Sequence, residues 1–300
     1  MVNIRAEGVY VIAATPFTDD GRVDNASIDR MIDFYLDCGV TGITVLGMMG
    51  EAPKLSLAES IAITKQVVQR SRLPVIVGVS APGYASMAAL ARAAMDAGAR
   101  GVMIAPPSRV RTDEQIIGYF ADAVEAIGEE VPFAIQDYPY ASGVVMAPKV
   151  LRRIVQDNPS CMMIKHEDWP GLDKISILRG FVADGSMRDV SILCGNGGLF
   201  LPHELERGAD GANTGYAYPE MLVRLVKLIK CGERAAAHDM FDRHLPLLRY
   251  EQQPGTGLAV RKFILKRRGA ITSDAQRKPA TKLSKESIAE VEWLVARLER

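Results

Sequence analysis

The clearest chemical potential in this chain belongs to a lysine placed where an apolar strand pattern runs out. Cys161-Met162-Met163-Ile164 suits a buried strand and leads directly into Lys165-His166-Glu167-Asp168. An unpaired ammonium group is expensive to desolvate, so Lys165 is expected at the C-terminal end of that strand, facing a pocket. There an amine can serve as a nucleophile. A neutral amine adds to the carbonyl of a 2-oxo acid and loses water, leaving a protonated imine. That cation withdraws electrons from the neighbouring C–C or C–H bond and stabilises the adjacent carbanion as an enamine. The plainer reading is a solvated lysine just past a strand. The elements around it decide between the two.

Those elements alternate. Apolar strand patterns fall at 8–14, 42–46, 74–79, 101–105, 132–136, 161–164, 190–194 and 210–214. Each is followed by residues at helical spacing, such as Ile28, Met31, Ile32, Tyr35 and Leu36, or Ile117, Phe120, Val124 and Ile127. Ser56-Leu57-Ala58-Glu59 and Thr112-Asp113-Glu114-Gln115 are capping-box patterns that open two of these helices. Such alternation implies a parallel sheet, and eight strand–helix units close a (β/α)8 TIM barrel. An open doubly wound sheet would carry a Gly-rich turn after its first strand, and Ala14-Thr15-Pro16-Phe17 is no such turn. The barrel is expected over residues 1–232, with a helical extension over 233–300. The last helix carries Ile288, Val291, Leu294, Val295 and Leu298 on one face, suited to capping the barrel or to a subunit interface.

Composition narrows the function classes. With 48% hydrophobic residues in 300, the chain can bury a large core. Lys+Arg and Asp+Glu balance at 36 each without a basic block, which argues against a nucleic-acid or membrane partner. Cys38, Cys161, Cys194 and Cys231 are widely separated and read as reduced packing residues. Met1-Val2-Asn3-Ile4-Arg5 has no signal-peptide core behind it, and no apolar run reaches membrane-spanning length, so a cytoplasmic protein is expected.

In such barrels the site lies at the C-terminal ends of the strands. The second strand ends in Gly47-Met48-Met49-Gly50-Glu51, whose backbone N–H groups can meet a carboxylate where glycine allows close approach. The fifth ends in Gln136-Asp137-Tyr138-Pro139-Tyr140, and alternation lets at most one of the two tyrosines face inward. Glu167, two residues past Lys165, can share its pocket as an acid or base. Asn213 and Thr214 on the eighth strand can hydrogen-bond a substrate hydroxyl. Gly195-Asn196-Gly197-Gly198 reads as a tight turn beside the site rather than a phosphate cradle. His166, His203, His238 and His244 lack metal-ligand spacing, so neither a metal nor a cofactor is expected.

These residues together resemble the dihydrodipicolinate synthase / N-acetylneuraminate lyase family of class I Schiff-base lyases. Thr15-Pro16-Phe17, the Gly-x-x-Gly-Glu at 47–51, Pro106-Pro107, Pro139 and Ile164-Lys165 fall in that family's order over essentially the whole chain. The resemblance implies that Lys165 forms the Schiff base and that residues 47–51 bind the substrate carboxylate. It also implies a homotetramer, or at least a homodimer, acting on a pyruvate-type 2-oxo acid.

The departures from the family pattern narrow this further. Both threonines of the family's Gly-Thr-Thr-Gly-Glu loop are methionines here, Met48 and Met49. The family's strand-five tyrosine, a proton relay, corresponds to Gln136, which has no titratable proton. The arginine that holds a second substrate's carboxylate corresponds to Ala141, and the strand-four tyrosine to Ser108 or Arg109. These losses argue against dihydrodipicolinate synthesis and leave it an alternative. Gln136-Asp137-x-Pro-x-Ala-Ser-Gly, Glu167 and Pro170-Gly171 after Lys165, and Gly211-Ala212-x-Thr214-Gly215 are similar to the L-2-keto-3-deoxyarabonate dehydratase branch. A 2-keto-3-deoxy sugar acid dehydratase or aldolase is therefore expected, with Lys165, Tyr138, Tyr140 and Glu167 catalytic. Gly47, Met48, Met49, Gly50, Gln136, Asn213 and Thr214 are expected to bind substrate. A catalytically degenerate barrel that only senses 2-oxo acids is the competing class, motivated by Gln136 and the two methionines.

Overall fold

The computed structural model describes residues 5–300. Eight parallel strands close into one barrel in sequence order. They are β1 (Gly8–Ile12), β2 (Gly42–Val45), β3 (Val75–Gly78), β4 (Gly101–Ile104), β5 (Phe133–Asp137), β6 (Cys161–His166), β7 (Ser191–Cys194) and β8 (Gly211–Thr214). The helices that follow them are α1 (Asn25–Asp37), α2 (Leu57–Arg70), α3 (Tyr84–Asp96), α4 (Asp113–Ile127), α5 (Pro139–Ser142), α6 (Pro148–Asp157), α7 (Leu172–Ala183), α8 (Leu201–Glu206) and α9 (Pro219–Lys230). Three more complete the chain: α10 (Arg234–Glu251), α11 (Gly257–Arg267) and α12 (Lys285–Leu298). This is the (β/α)8 architecture that the alternation of patterns implies. None of the helices is long and apolar enough to cross a membrane. The expectation about the first residues falls on Met1 to Ile4, outside the described residues.

Local chemistry explains the boundaries. Ser56 caps α2 and the Glu59 carboxylate accepts from the Ser56 N–H, while Thr112 caps α4 and the Gln115 amide oxygen accepts from the Thr112 N–H. After β7 a one-turn 3-10 segment, Asn196–Gly198, stays separate from α8. The reason is the left-handed backbone of Gly197 and Gly198, with φ of 67° and 85°, which interrupts a right-handed helix. One hydrophobic cluster fills the space between sheet and helices, and it includes Ala237, Met240, Phe241, Val291 and Val295. The helices beyond residue 232 thus share the barrel's outer core.

A second, smaller cluster lies inside the barrel: Tyr10, Ile76, Met103, Ala134, Met163 and Leu193, with Ala6 and Met162. At a shear of about 8, residues at one height advance by about one position per strand, so alternate strands fill each layer. The registers Met103↔Ala134, Ile135↔Ile164, Lys165↔Leu193, Tyr10↔Asn213 and Thr44↔Ile76 then set Thr44, Met103, Lys165 and Asn213 in one layer. The layer below is Tyr10, Ile76, Ala134 and Leu193; the layer above is Ile12, Gly78, Gln136 and Gly195. Lys165 thus stands with Thr44, Met103 and Asn213 beneath a layer that is half glycine.

Candidate active site

β6 does not stop at Ile164. It continues through Lys165 to His166, and both side chains are buried, as is Glu167 just beyond. The lysine is therefore not a solvated residue past a strand. Lys165 keeps only 4% of its surface exposed. Burial at this level demands a partner, and Glu167 supplies it: Oε2 lies 2.9 Å from Lys165 Nζ. The same oxygen accepts a hydrogen bond from Gln136 Nε2, also at 2.9 Å. Amine, carboxylate and carboxamide thus converge on one atom. The carboxylate reaches this point because residue 195 is glycine: a Cβ there would lie 2.2 Å from Glu167 Cγ. Asn196 fixes the Glu167 backbone by donating from Nδ2 to its carbonyl at 3.0 Å.

Successive residues of these strands point to opposite faces, and the opposite face is charged too. Asp137 Oδ2 accepts from Lys174 Nζ at 2.6 Å, and Lys174 also reaches Asp168 Oδ2 at 2.9 Å. His166 places Nε2 3.0 Å from the Gly171 carbonyl and Nδ1 3.6 Å from Asp137. This outer cluster braces the strand ends that carry Gln136 and Lys165. It gives His166 a structural setting away from the lumen.

The other predicted residues divide. Asn213 is fully buried in the layer of Lys165, and neither its Oδ1 nor its Nδ2 has a hydrogen-bond partner among the described residues. Thr214 faces the other way, and its Oγ1 accepts from the Gly197 N–H at 2.7 Å, pinning the turn after β7. Gly47 to Gly50 form a 3-10 turn at the mouth, with Gly50 buried and Met48 41% exposed. The N–H groups of Met48 and Met49 begin that turn and so have no partner within it. Tyr138 is half-buried at the end of β5; burial, then the Glu167 charge and Tyr140, push its phenol up to about 12. Tyr140 is 72% exposed on the surface, its ring 6.1 Å from that of Tyr138.

Sequence reasoning missed Thr44. Its hydroxyl shares the lysine's layer and is likewise buried without a partner. A threonine within an apolar strand reads as ordinary β-propensity, so only the barrel register exposes it. Three unsatisfied polar atoms in one layer make a polar floor, with Met103 completing it. Backbone geometry marks the same end of the barrel. The three non-glycine residues with positive φ among those described, Leu46 (56°), Glu51 (56°) and Asn196 (49°), all follow β2 or β7. Such conformations cost on the order of 1–3 kcal/mol each and gather at functional sites. A cavity of about 690 Å³ opens beside β2, β3 and β4, lined by Leu46, Gly78, Pro106 and Arg109; Lys165 is not part of its wall.

Comparison with known proteins agrees with this geometry. The model of the dihydrodipicolinate synthetase family matches residues 5–298. A structure described as dihydrodipicolinate synthase from Rhodopseudomonas palustris is 60% identical, with a TM-score of 0.96 and 97% of each chain covered. The L-2-keto-3-deoxyarabonate dehydratase of Azospirillum brasilense is 28% identical over 98% of this chain and 95% of its own. The 4-hydroxy-tetrahydrodipicolinate synthase of Persephonella marina is 31% identical over 81% of this chain and 82% of its own. A buried lysine at the end of β6, a Gly-x-x-Gly-Glu turn after β2 and a family match from end to end leave one assignment: the chain is a lyase of the dihydrodipicolinate synthetase family.

Proposed function

We propose that the protein forms a Schiff base between Lys165 and a 2-oxo acid, and that it dehydrates a 2-keto-3-deoxy sugar acid. The observation that carries this reading is the single carboxylate oxygen of Glu167 held 2.9 Å from both Lys165 Nζ and Gln136 Nε2. Glu167 receives the proton that Lys165 must lose before its amine attacks the C2 carbonyl. Glu167 returns that proton to the carbinolamine hydroxyl, which leaves as water, so the protonated imine forms and the carboxylate is free again. Glu167 then removes a C3 proton, the electron pair moves into the C2–C3 bond, and the enamine expels the C4 hydroxyl. That hydroxyl takes a proton from the Glu167 carboxyl or from Tyr138 and departs as water. Hydrolysis of the imine releases product and restores the amine. The balance over the cycle is one water lost from the substrate.

The remaining groups position and bind. Gln136 fixes the carboxylate without competing for its proton, since an amide does not titrate. Tyr138, pushed up to about 12, holds its proton at neutral pH and acts as a donor. The Met48 and Met49 N–H groups receive the C1 carboxylate, while Thr44 and Asn213 hydrogen-bond a neutral substrate oxygen or a water. Tyr140 has no part in this scheme. Turnover across a panel of 2-keto-3-deoxy acids tests the reading; silence across the whole panel would refute it.

Dihydrodipicolinate synthesis is the second reading, favoured by the name given to the 60% identical structure. Gln136 in place of the relay tyrosine and Ala141 in place of the second-substrate arginine weigh against it. A barrel that only binds 2-oxo acids would bind pyruvate and turn over neither set of substrates. We place the enzyme in the cytoplasm, where the exposed free thiol of Cys231 suits a reducing milieu. We further infer a homotetramer or homodimer. Apolar surface near Trp169, Phe200, Leu245 and Pro246, around a groove of about 460 Å³, supports this and would be covered by a second copy. Light scattering on the purified protein tests it.

A further inference from the structure

Glu51 closes the turn after β2, and its carboxylate is 2% exposed. Oε1 accepts from Lys262 Nζ of α11 at 2.6 Å. Oε2 accepts from Lys54 Nζ at 2.9 Å and from the Arg277 N–H at 3.1 Å. The cations close the ring among themselves: Lys262 Nζ donates to the Ala275 carbonyl, and Lys54 Nζ to the Arg277 carbonyl, both at 2.8 Å. Arg277 grips Glu59 with two nitrogens, at 2.7 and 2.9 Å. Both cations also pack over the Phe17 ring, with Lys262 Nζ 4.6 Å and the Arg277 guanidinium carbon 4.8 Å from its centre. Lys262 itself is fully buried.

Two features make this more than a brace. Glu51 has a left-handed backbone with φ of 56°, an arrangement that persists only where surrounding contacts over-determine it. Lys54, Lys262 and Arg277 against Glu51 and Glu59 also leave one positive charge in excess behind the turn. That turn must meet a carboxylate with backbone N–H groups alone, because Met48 and Met49 bring no hydroxyls. An anion held by amides depends steeply on where those amides stand. We propose that Glu51 and Lys262 are positioning residues through which α11 and the segment around Arg277 set the turn's height and field, and with them the affinity for the substrate carboxylate. This rests on the reading that residues 47–50 take that carboxylate.

The test compares wild type with Lys262→Leu, Glu51→Gln, the double variant, and Val295→Ala as a destabilising control in α12. Each is incubated with increasing pyruvate, reduced with borohydride and weighed intact. Removing Lys262 alone orphans a buried carboxylate, so Lys262→Leu loses both stability and affinity. The double variant leaves no fully buried charge unpaired, since Lys54 is partly exposed and keeps the Arg277 carbonyl, and it regains much of the stability. Its half-saturating pyruvate concentration is nevertheless expected to stay about tenfold or more above wild type, with maximal trapping unchanged. Half-saturation that returns to wild type along with stability, or that Val295→Ala raises equally, would reduce the pair to a fold brace and overturn the proposal. If the wild type forms no adduct, the Schiff-base reading fails on its own, and the methyl NMR signals of Met48 and Met49 decide. Positioning requires them to move in the double variant and to stay in place in Val295→Ala; unmoved signals contradict it.

Discussion

The two faces of β5 and β6 carry two charge clusters back to back, and they are built on opposite principles. Outside the barrel, Lys174 is shared between Asp137 and Asp168, and His166 fills the remaining space against Gly171. Inside, Lys165 has one carboxylate, held in place by an amide. The outer lysine, carried on the first turn of α7, is buried and locked by two anions. The inner one faces a layer half made of glycine, with unpartnered polar atoms in its own layer. A buried lysine with a saturated shell is a brace, whereas one with a single counter-ion and unpartnered polar atoms in its own layer can change partners. The difference arises from a one-residue step along each strand.

Breaking the inner cluster is expected to cost most in activity. Lys165→Ala should abolish pyruvate trapping and lower kcat by at least about 10³-fold, measured by turnover of the best panel substrate. Glu167→Gln keeps the volume and the contact to Gln136 but removes the base, so kcat should fall about 10²–10⁴-fold; the imine forms more slowly, because Lys165 loses its proton acceptor, yet still accumulates on long incubation and can be trapped. Equal loss of imine formation would give Glu167 a role in amine activation alone. Breaking the outer cluster reads out differently. Lys174→Met strands buried carboxylates and should cost about 3–5 kcal/mol in urea unfolding, with kcat of the folded enzyme within a few-fold of wild type.

Smaller effects sharpen the contrast. Gln136→Leu removes one hydrogen bond to a charged acceptor, about 1.5–3 kcal/mol, and should lower kcat about ten- to hundredfold without preventing trapping. A third carboxylate separates packing from chemistry by its pH signature. Glu204 on α8 is buried against Cys194, its Oε2 has no partner among the described residues, and burial pushes its carboxyl up to about 8. The folded state therefore holds a proton that the unfolded state releases above its ordinary carboxylate range. This group's contribution is complete below about 4.5 and is lost as pH rises through 8. Glu204→Gln should flatten that alkaline decline in Tm and leave imine trapping unchanged.

Much of this is legible in the sequence alone. Strand–helix alternation gives the barrel, two capping boxes give the starts of α2 and α4, and an apolar run ending in Lys165 gives the nucleophile. Parity along β6 put Glu167 within reach of that lysine, but whether a carboxylate turns inward depends on the space left by Gly195 in another strand. Thr44 stayed hidden because its residue type fits any buried strand, and its significance comes only from sharing a layer with Asn213 and Lys165. The Glu51–Lys262 pair spans 211 positions in sequence, and no local pattern encodes it. Spacing thus reveals what one element presents, while closure of the barrel decides which elements meet.

The central claim is that the inner lysine reacts and the outer one does not. Borohydride reduction with pyruvate, followed by proteolysis and peptide mass mapping, tests it directly. The account predicts a single adduct on the peptide carrying Lys165, absent in Lys165→Ala and retained in Lys174→Met. No adduct on the wild type, or one on Lys174 or any other lysine, would contradict it.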